Sequence, residues 1–489
     1  MRRTTNAVAA AMLLAVLATR AVLGQEVTDA LRLSQPASQF NAHALGMGNT
    51  YSTIGYDISA LSFNPATMAL SRTFSWTVTT NVESFQSTTN YYGNRTHFGT
   101  NNTYCGQVGL TFPLRLDSTR NLIVGCAYTR SSDFGSGFKY AGLNDGSRFP
   151  SFSQVLANQA DPTARALGLS YPTYDASGNF LGDNTILGDG LYETGNLLAG
   201  GGPTHYSLGA AIEATHNFFV GASGSYNTGN YSSDLELAAL DVNDAYPTGV
   251  LTAPDDPRTD GFESAHYHVA RDKQYRGWDA RFGMMYKLAD FIGLSASFHL
   301  PGPEKVSEDL FRGGTSRFAG SKSIVLPETR STSTFYFSPP AELTVGAMVN
   351  MWIVTGTAEA TYVDYTTVRI TSGAGALPDR TLINKRINDE LAAVLNLNLG
   401  AEVRLPFTGL SGRAGGIYQP SPYGSDPARN SRKVVTVGCG YNANDVAQVD
   451  LGYAYAWRGE NRERQVGDDS SANRTVGFNT LLFTIRVAF

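Results

Sequence analysis

Residues 480–489, the end of the chain, read TLLFTIRVAF. Leu481, Phe483, Ile485, Val487 and Phe489 fall on one face and Thr480, Leu482, Thr484, Arg486 and Ala488 on the other, the two-residue period of a strand with one apolar side. Working back, Ala447, Val449, Leu451, Tyr453, Tyr455 and Trp457 alternate with Gln448, Asp450, Gly452, Ala454 and Ala456. Leu395, Leu397, Leu399, Ala401, Val403 and Leu405 alternate with Asn396, Asn398, Gly400, Glu402 and Arg404, and Tyr206, Leu208, Ala210, Ile212 and Ala214 with Ser207, Gly209, Ala211, Glu213 and Thr215. An antiparallel sheet with one wet face shows the same alternation. Here the apolar faces run five or six positions without a charge, matching the 9–11 residues of a tilted membrane strand. One of them ends in Tyr453, Tyr455 and Trp457, the aromatics of an interfacial girdle.

Composition agrees with strands. The 489 residues are 16% charged and 42% hydrophobic, with 51 Gly, 25 Tyr and 25 Phe, poor in the Lys and Glu of helical surfaces. A mean hydropathy of −0.18 and no apolar run of 18 residues beyond the N-terminus exclude a helical membrane protein but not a membrane barrel. The net charge of −5 offers no field for a phosphate backbone, which argues against nucleic acid as a partner.

Arg2 and Arg3 precede an apolar run from Ala7 to Ala18 and a stretch of small residues, the pattern of a secretory signal peptide over residues 1–24. At 1.5 Å per residue that run is too short to span about 30 Å of hydrocarbon. Removing Arg2, Arg3 and Arg20 takes the charge from −5 to −8.

Residues 73–489 contain fourteen expected strands, near 73–84, 104–114, 121–131, 205–215, 218–235, 264–287, 291–300, 332–350, 355–370, 390–405, 411–420, 432–442, 446–458 and 477–489. Short connections alternate with long ones, as periplasmic turns alternate with extracellular loops, and an even number returns the C-terminus to the periplasmic side. The fold expected is all-β: a 14-stranded antiparallel transmembrane β-barrel. Residues 25–72 precede it, and the small-residue stretch NAHALGMGNTYSTIGYDISALSFNPATMA at 41–69 suits a hatch plugging the lumen.

That stretch carries a resemblance. Asn64-Pro65-Ala66, preceded by Ala44-Leu45-Gly46-Met47-Gly48 and Asp57-Ile58-Ser59-Ala60-Leu61, is similar to the N-terminal hatch of the outer-membrane long-chain fatty acid transporter family (FadL/TodX). SGRAGGIYQPSPYGSD and VVTVGCGYNANDVAQVDLGYAYAW resemble that family's last strands. The resemblance covers both ends of the mature chain, while residues 132–335 match only in pattern. It implies passive uptake of hydrophobic compounds such as long-chain fatty acids or hydrocarbons. Ligand is captured among extracellular loops and leaves sideways through a gap beside a kinked strand. It implies an outer-membrane location, the lipid bilayer and a hydrophobic small molecule as partners, the barrel-assembly machinery as reader of terminal Phe489, and a monomer. The polar start of the hatch, LSQPASQFNAHA, also resembles barrels of the PorV type that dock a secretion or surface-anchoring partner; a general porin is a third reading.

The long loop at 132–203 holds the capture candidates Phe134, Phe138, Phe149, Phe152, Leu156, Tyr171, Phe180 and Leu187. They form either a ligand groove or the core of a self-packed loop. Arg281, Glu402 and Arg404 are candidate lumen charges, expected to pair with the hatch or, for an arginine, to receive a ligand carboxylate. Cys105, Cys126 and Cys439 are too scattered for zinc, with Cys126 expected on the lipid face and Cys105 in the lumen phase. His266 and His268 read as polar lumen wall. No nucleophile elbow, Walker loop or dinucleotide fingerprint is present, so no enzyme, cofactor or metal is expected.

Overall fold

The computed structural model describes residues 31–489 apart from 33, 35–39, 117–120, 131, 148–149, 159–160, 290, 376–379, 444–445 and 461–472. The signal-peptide reading at 1–24, the first hatch residues and Phe149 lie outside the described residues.

Twenty strands form in chain order: β1 Ser75–Tyr91, β2 Asn94–Arg115, β3 Asn121–Arg130, β4 Ser136–Leu143, β5 Tyr171–Tyr174, β6 Phe180–Asn184, β7 Tyr192–Thr215, β8 Phe218–Leu240, β9 Phe262–Ala289, β10 Ile292–Pro301, β11 Glu304–Phe318, β12 Lys322–Ser338, β13 Glu342–Met351, β14 Val354–Asp364, β15 Arg369–Gly375, β16 Ala393–Arg404, β17 Leu410–Gln419, β18 Arg432–Ala443, β19 Ala447–Glu460 and β20 Asn473–Ala488. Fourteen of them make the barrel: β1, β2, β3, β7, β8, β9, β10, β13, β14, β16, β17, β18, β19 and β20, each antiparallel to the next, with β20 closing on β1 from Ser75↔Ala488 to Asn90↔Asn473. Closure of β20 on β1 leaves no open seam between the first and last strands, where each backbone group unpaired in lipid would cost several kcal/mol.

The alternation expected from the sequence sets the two faces. Leu395, Leu397, Leu399, Val435, Val437, Leu451, Leu481 and Phe483 are exposed outside, whereas Asn396, Glu402, Thr436, Asp450, Thr480 and Thr484 are buried inside. Tyr128, Tyr206, Tyr226 and Trp278 pair directly across β3, β7, β8 and β9, a row of amphipathic rings at one height. On the other side Tyr455 stacks on Trp457 at 5.7 Å. An apolar band under an aromatic row is the exterior of a transmembrane barrel. Leu399→Arg, at the band, is therefore expected to cost about 2–4 kcal/mol, read as a lower urea midpoint for unfolding from vesicles, while Asn398→Arg on the lumen side costs less.

Above this row the wall continues as a second tier, and here the expected strands need correction. β1 and β2 run past residues 84 and 104 and meet in a tight hairpin at Tyr92 and Gly93, both at positive φ. The single strand expected at 332–350 is two, β12 and β13, separated at Pro339-Pro340-Ala341, because neither proline has an N–H for the ladder. Pro301-Gly302-Pro303 likewise divides β10 from β11, and both pair with the unbroken β9. The strand expected at 355–370 stops at Asp364, whose side chain caps a 3₁₀ turn at Tyr365–Thr367.

Cys105 also differs from expectation. The β1–β2 register slips between Thr79↔Gln107 and Thr80↔Cys105, and this bulge turns Cys105 outward, since one extra residue reverses the face of everything beyond it. Cys126 lies opposite Leu110 as expected, and all three cysteines are free and exposed. His266 is on the outer side of β9, not on a lumen wall: its neighbours Ala265 and Tyr267 are the buried ones. His268, on the same side, meets Asp234 at 3.0 Å and Glu328 at 3.4 Å.

Candidate functional site: the occupied lumen and the kinked third strand

The N-terminal segment sits on the inner wall through its own short turns. Asn41 caps α1 (Ala42–Gly46), accepting from Ala44 N at 2.6 Å, and its amide donates to Asp57 at 3.0 Å and Ser59 at 2.7 Å. Ser59 bonds Gln107 of β2 at 2.7 Å, Ser52 N donates to Glu359 of β14 at 2.5 Å, and Ala42 N donates to Thr484 of β20 at 2.9 Å. Thr436 of β18 donates to Gly46 O at 3.2 Å, and Thr50 meets Thr357 of β14. Tyr56 reaches Gln448, with the Arg486 guanidinium 4.9 Å from its ring centre.

Close approach is made possible by glycine on the wall. A Cβ on Gly109, Gly125 or Gly209 would lie 2.6 Å from Ile58 or Leu61, one on Gly221 2.6 Å from the Pro65 backbone, and one on Gly438 3.1 Å from Gly46. Gly283, Gly346, Gly400, Gly415 and Gly452 would meet Asn64, Ser52, Met47, Gly48 and Ala42 in the same way. These ten glycines lie on ten different barrel strands, so the segment is gripped nearly all the way round. Gly221→Leu is expected to destabilise by about 1–3 kcal/mol through overpacking and to raise the basal current in planar bilayers as the segment is pushed off the wall.

Asn64, Pro65 and Ala66 form the start of a 3₁₀ turn at Pro65–Leu70. Proline at the first position loses no needed donor, and Asn64 Oδ1 accepts from Ala66 N at 3.1 Å. Asn64 Nδ2 donates to Ser52 O at 2.8 Å and to Met284 O of β9 at 3.1 Å. The motif therefore ties two parts of the segment to the β8–β9 wall.

The lumen charges are mostly paired. Glu402 of β16 is held by Arg413 at 2.6 Å and by Arg404 at 2.5 Å, with His43 Nε2 of the segment 3.2 Å away, and Arg413 also binds Asp450 at 2.6 Å. Arg404 ends β16 at the rim with its side chain 58% exposed, so it is a rim residue and not an inner one. Arg281 pairs with Glu342 at 3.6 Å, a wall residue and not part of the N-terminal segment. Sequence reading missed Arg413, whose place inside depended on register. Arg413→Ala would leave two buried carboxylates facing each other and is expected to cost about 3–5 kcal/mol, seen as loss of the heat-dependent gel shift at lower temperature.

The third strand breaks. β3 pairs with β7 up to Arg130↔Thr204, and pairing resumes in β4 at Ser136↔Ala199. Opposite the break β7 reads Gly200-Gly201-Gly202-Pro203, and Gly201, at φ 121°, accepts from Phe134 N at 3.0 Å and from Arg130 at 3.2 Å. β4 is drawn to the lumen side: Ser87 of β1 and Arg474 of β20, which are not its neighbours in the wall, donate to Gly137 O at 2.8 and 3.2 Å. The β2–β3 ladder ends at Gln107↔Thr129 and β4 does not continue it. Among the described residues, β2 from Asn94 to Gly106 thus has a backbone ladder only on its β1 side, and β4 touches it there through the Thr96 hydroxyl, which donates to Lys139 O. The Gly-Gly-Gly-Pro run was the available signal for this kink.

The loop that follows is largely a small folded unit. Phe138, Phe152, Leu156 and Leu187 are buried in one core with Tyr91, Leu235, Tyr267 and Phe318 from the upper tier, so a ligand in solvent does not meet these four. Tyr171 and Phe180 are half-buried on the β5–β6 hairpin, which Arg165 holds through Asp183 at 2.6 Å. Tyr246 closes the loop by donating to Asp189 O at 2.9 Å and accepting from Gly188 N at 2.8 Å; burial pushes its phenol pKa up. Phe134 is the exception, pointing inward with its ring centre 6.2 Å from Tyr231 and 6.3 Å from Tyr275.

No family model and no curated relative matches the chain. Solved structures do. The toluene transporter TodX of P. putida aligns over 93% of this chain and 99% of its own, at 17% identity and a TM-score of 0.53. The Ralstonia pickettii toluene transporter TbuX covers 93% and 99% at 16% identity and 0.51, and a Pseudomonas aeruginosa FadL homologue 92% and 98% at 14% and 0.53. In fold, this chain is a FadL/TodX-like barrel.

Proposed function

We propose that the protein resides in the outer membrane and passes small hydrophobic compounds inward by passive diffusion, with residues 25–72 as hatch, residues 73–489 as barrel and Phe489 as assembly signal. The observation that carries this reading is the inward kink of the third strand above a gripped N-terminal segment. The axial route is blocked, while beside β2 the wall has an edge with no ladder partner. A hydrophobic molecule gains nothing from a water-filled pore but gains from a dry path that ends in lipid. Capture then occurs among the upper-tier loops, where Phe134, Tyr171 and Phe180 are the candidates not enclosed in the loop core. Asn64, Pro65 and Ala66 anchor the hatch. The range of cargo extends to monoaromatic hydrocarbons and long-chain fatty acids. The chemistry is binding and release, with no catalysed step. Phe489 continues the β20–β1 seam by donating from its N–H to Phe74 O at 2.8 Å, a position open to the assembly machinery, and the barrel works as a monomer.

The test is extraction of the purified barrel with organic solvent and mass spectrometry against a control barrel handled in the same detergent. Enrichment of a hydrocarbon, aromatic or fatty acid supports uptake. Extracts equal to control would shift the reading to a protein-docking barrel.

A further inference from the structure

On the lumen face of β9 and β11, Tyr275 and Glu304 are buried polar groups that the described residues leave unbonded. Tyr275 is 2% exposed and Glu304 7%, and neither the Tyr275 hydroxyl nor Glu304 Oε2 has a hydrogen-bond partner among the described residues. Tyr275 is in register with Val306, two residues from Glu304. The Glu304 side chain folds over Gly277, where a Cβ would stand 2.7 Å from Glu304 Cγ, so both groups occupy neighbouring inward positions. Unmade hydrogen bonds of buried groups cost stability and call for an explanation, and a bound molecule is one.

The surroundings say which molecule. Tyr275 belongs to an apolar cluster with Phe335, Phe337, Val306, Tyr365 and Leu31, and Phe134 from the kinked segment packs against it. Among the described residues the basic groups in reach are engaged: Arg281 by Glu342, His299 by Asp279 at 3.6 Å and Glu342 at 3.5 Å, Arg130 by Asp133 at 3.1 Å and by Gly201 O, and the Arg32 guanidinium over the Tyr231 ring at 3.8 Å. Asp279, two residues beyond Gly277, is a further carboxylate, bonded by Asn227 at 2.7 Å. A ligand carboxylate would face Glu304 and Asp279 with no free cation to offset them. A hydroxyl can donate to Glu304 and accept from Tyr275 at once.

We propose that Tyr275 and Glu304 are the polar floor of a binding site for a hydrophobic molecule bearing one neutral hydroxyl, a phenol or a long-chain alcohol, covered by Phe134 and Leu31. This rests on the uptake reading above and narrows its cargo. A site built to bond a hydroxyl discriminates against the analogue lacking it, because its own buried groups are then left unpaired.

The test is equilibrium binding of three probes to the purified full-length barrel in detergent: 4-hexylphenol, hexylbenzene and 4-hexylbenzoate. Hexylphenol is expected to bind roughly tenfold more tightly than hexylbenzene, with hexylbenzoate weakest. Glu304→Met, which keeps length and removes the acceptor, and Tyr275→Phe are each expected to erase most of that preference while leaving hexylbenzene binding in place. The heat-dependent gel shift reports that each variant is folded, and Tyr275→Phe stands as the milder change should Glu304→Met fail to assemble. Hexylbenzene binding with no gain for hexylphenol, or a gain that survives in both variants, overturns this inference and leaves the uptake reading intact. Failure of all three probes overturns both.

Discussion

Deletion of residues 26–66 is expected to raise single-channel conductance in planar bilayers by an order of magnitude or more, since a barrel of this strand number emptied of its plug approaches an aqueous pore. The effect should be large because the segment is held by many weak contacts spread around the ring. Ser59 to Gln107, Ser52 to Glu359, Ala42 to Thr484 and Gly46 to Thr436 belong to different strands, so no local opening vacates the lumen. Removal also leaves Glu402 without His43 but still with Arg413, so the wall keeps its central ion pair. The deleted barrel should still fold and show its gel shift. An unchanged current in that folded variant would sink the hatch.

Gly201→Val is expected to cut uptake of a hydrophobic probe into proteoliposomes at least tenfold without raising conductance. The two readouts separate side exit from axial leak. Gly201 sits at φ 121°, a conformation closed to a β-branched residue, and a Cβ there would meet the Asn230 carbonyl and come 3.0 Å from Tyr231 Cα. Its carbonyl receives both Phe134 N and Arg130, the two bonds that hold the inward turn. Rearranging this point lets the segment after β3 realign with β7 and cover the free edge of β2. Normal uptake in a folded Gly201→Val barrel would place the exit elsewhere.

Much of the plan was legible because a membrane barrel repeats one rule. In TLLFTIRVAF every second residue had to be apolar, and the coordinates put Leu481 and Phe483 outside and Leu482 and Thr484 inside. The strand number followed from the same period, because a two-residue repeat is a local property of pleated backbone. Prolines at 301, 303, 339 and 340 marked the breaks between the tiers, yet alternation on either side of Pro339 and Pro340 masked theirs.

Pairings across the lumen were beyond that rule. Arg413 between Glu402 and Asp450, Asn64 on the β9 carbonyl of Met284, and Tyr275 opposite Val306 each join residues whose separation in sequence bears no relation to their separation in space. The phase of Cys105 was lost to one bulged residue. Whether Phe138 and Leu156 faced a groove or a core depended on strands β8, β9 and β11 arriving beside them. The sequence by itself determined the barrel and its two faces, because backbone period and the exclusion of charge from lipid act residue by residue. Only the tertiary structure decided where the wall parts, which charges are spent on one another and which polar groups are left for a ligand, because those depend on register and closure of the whole ring.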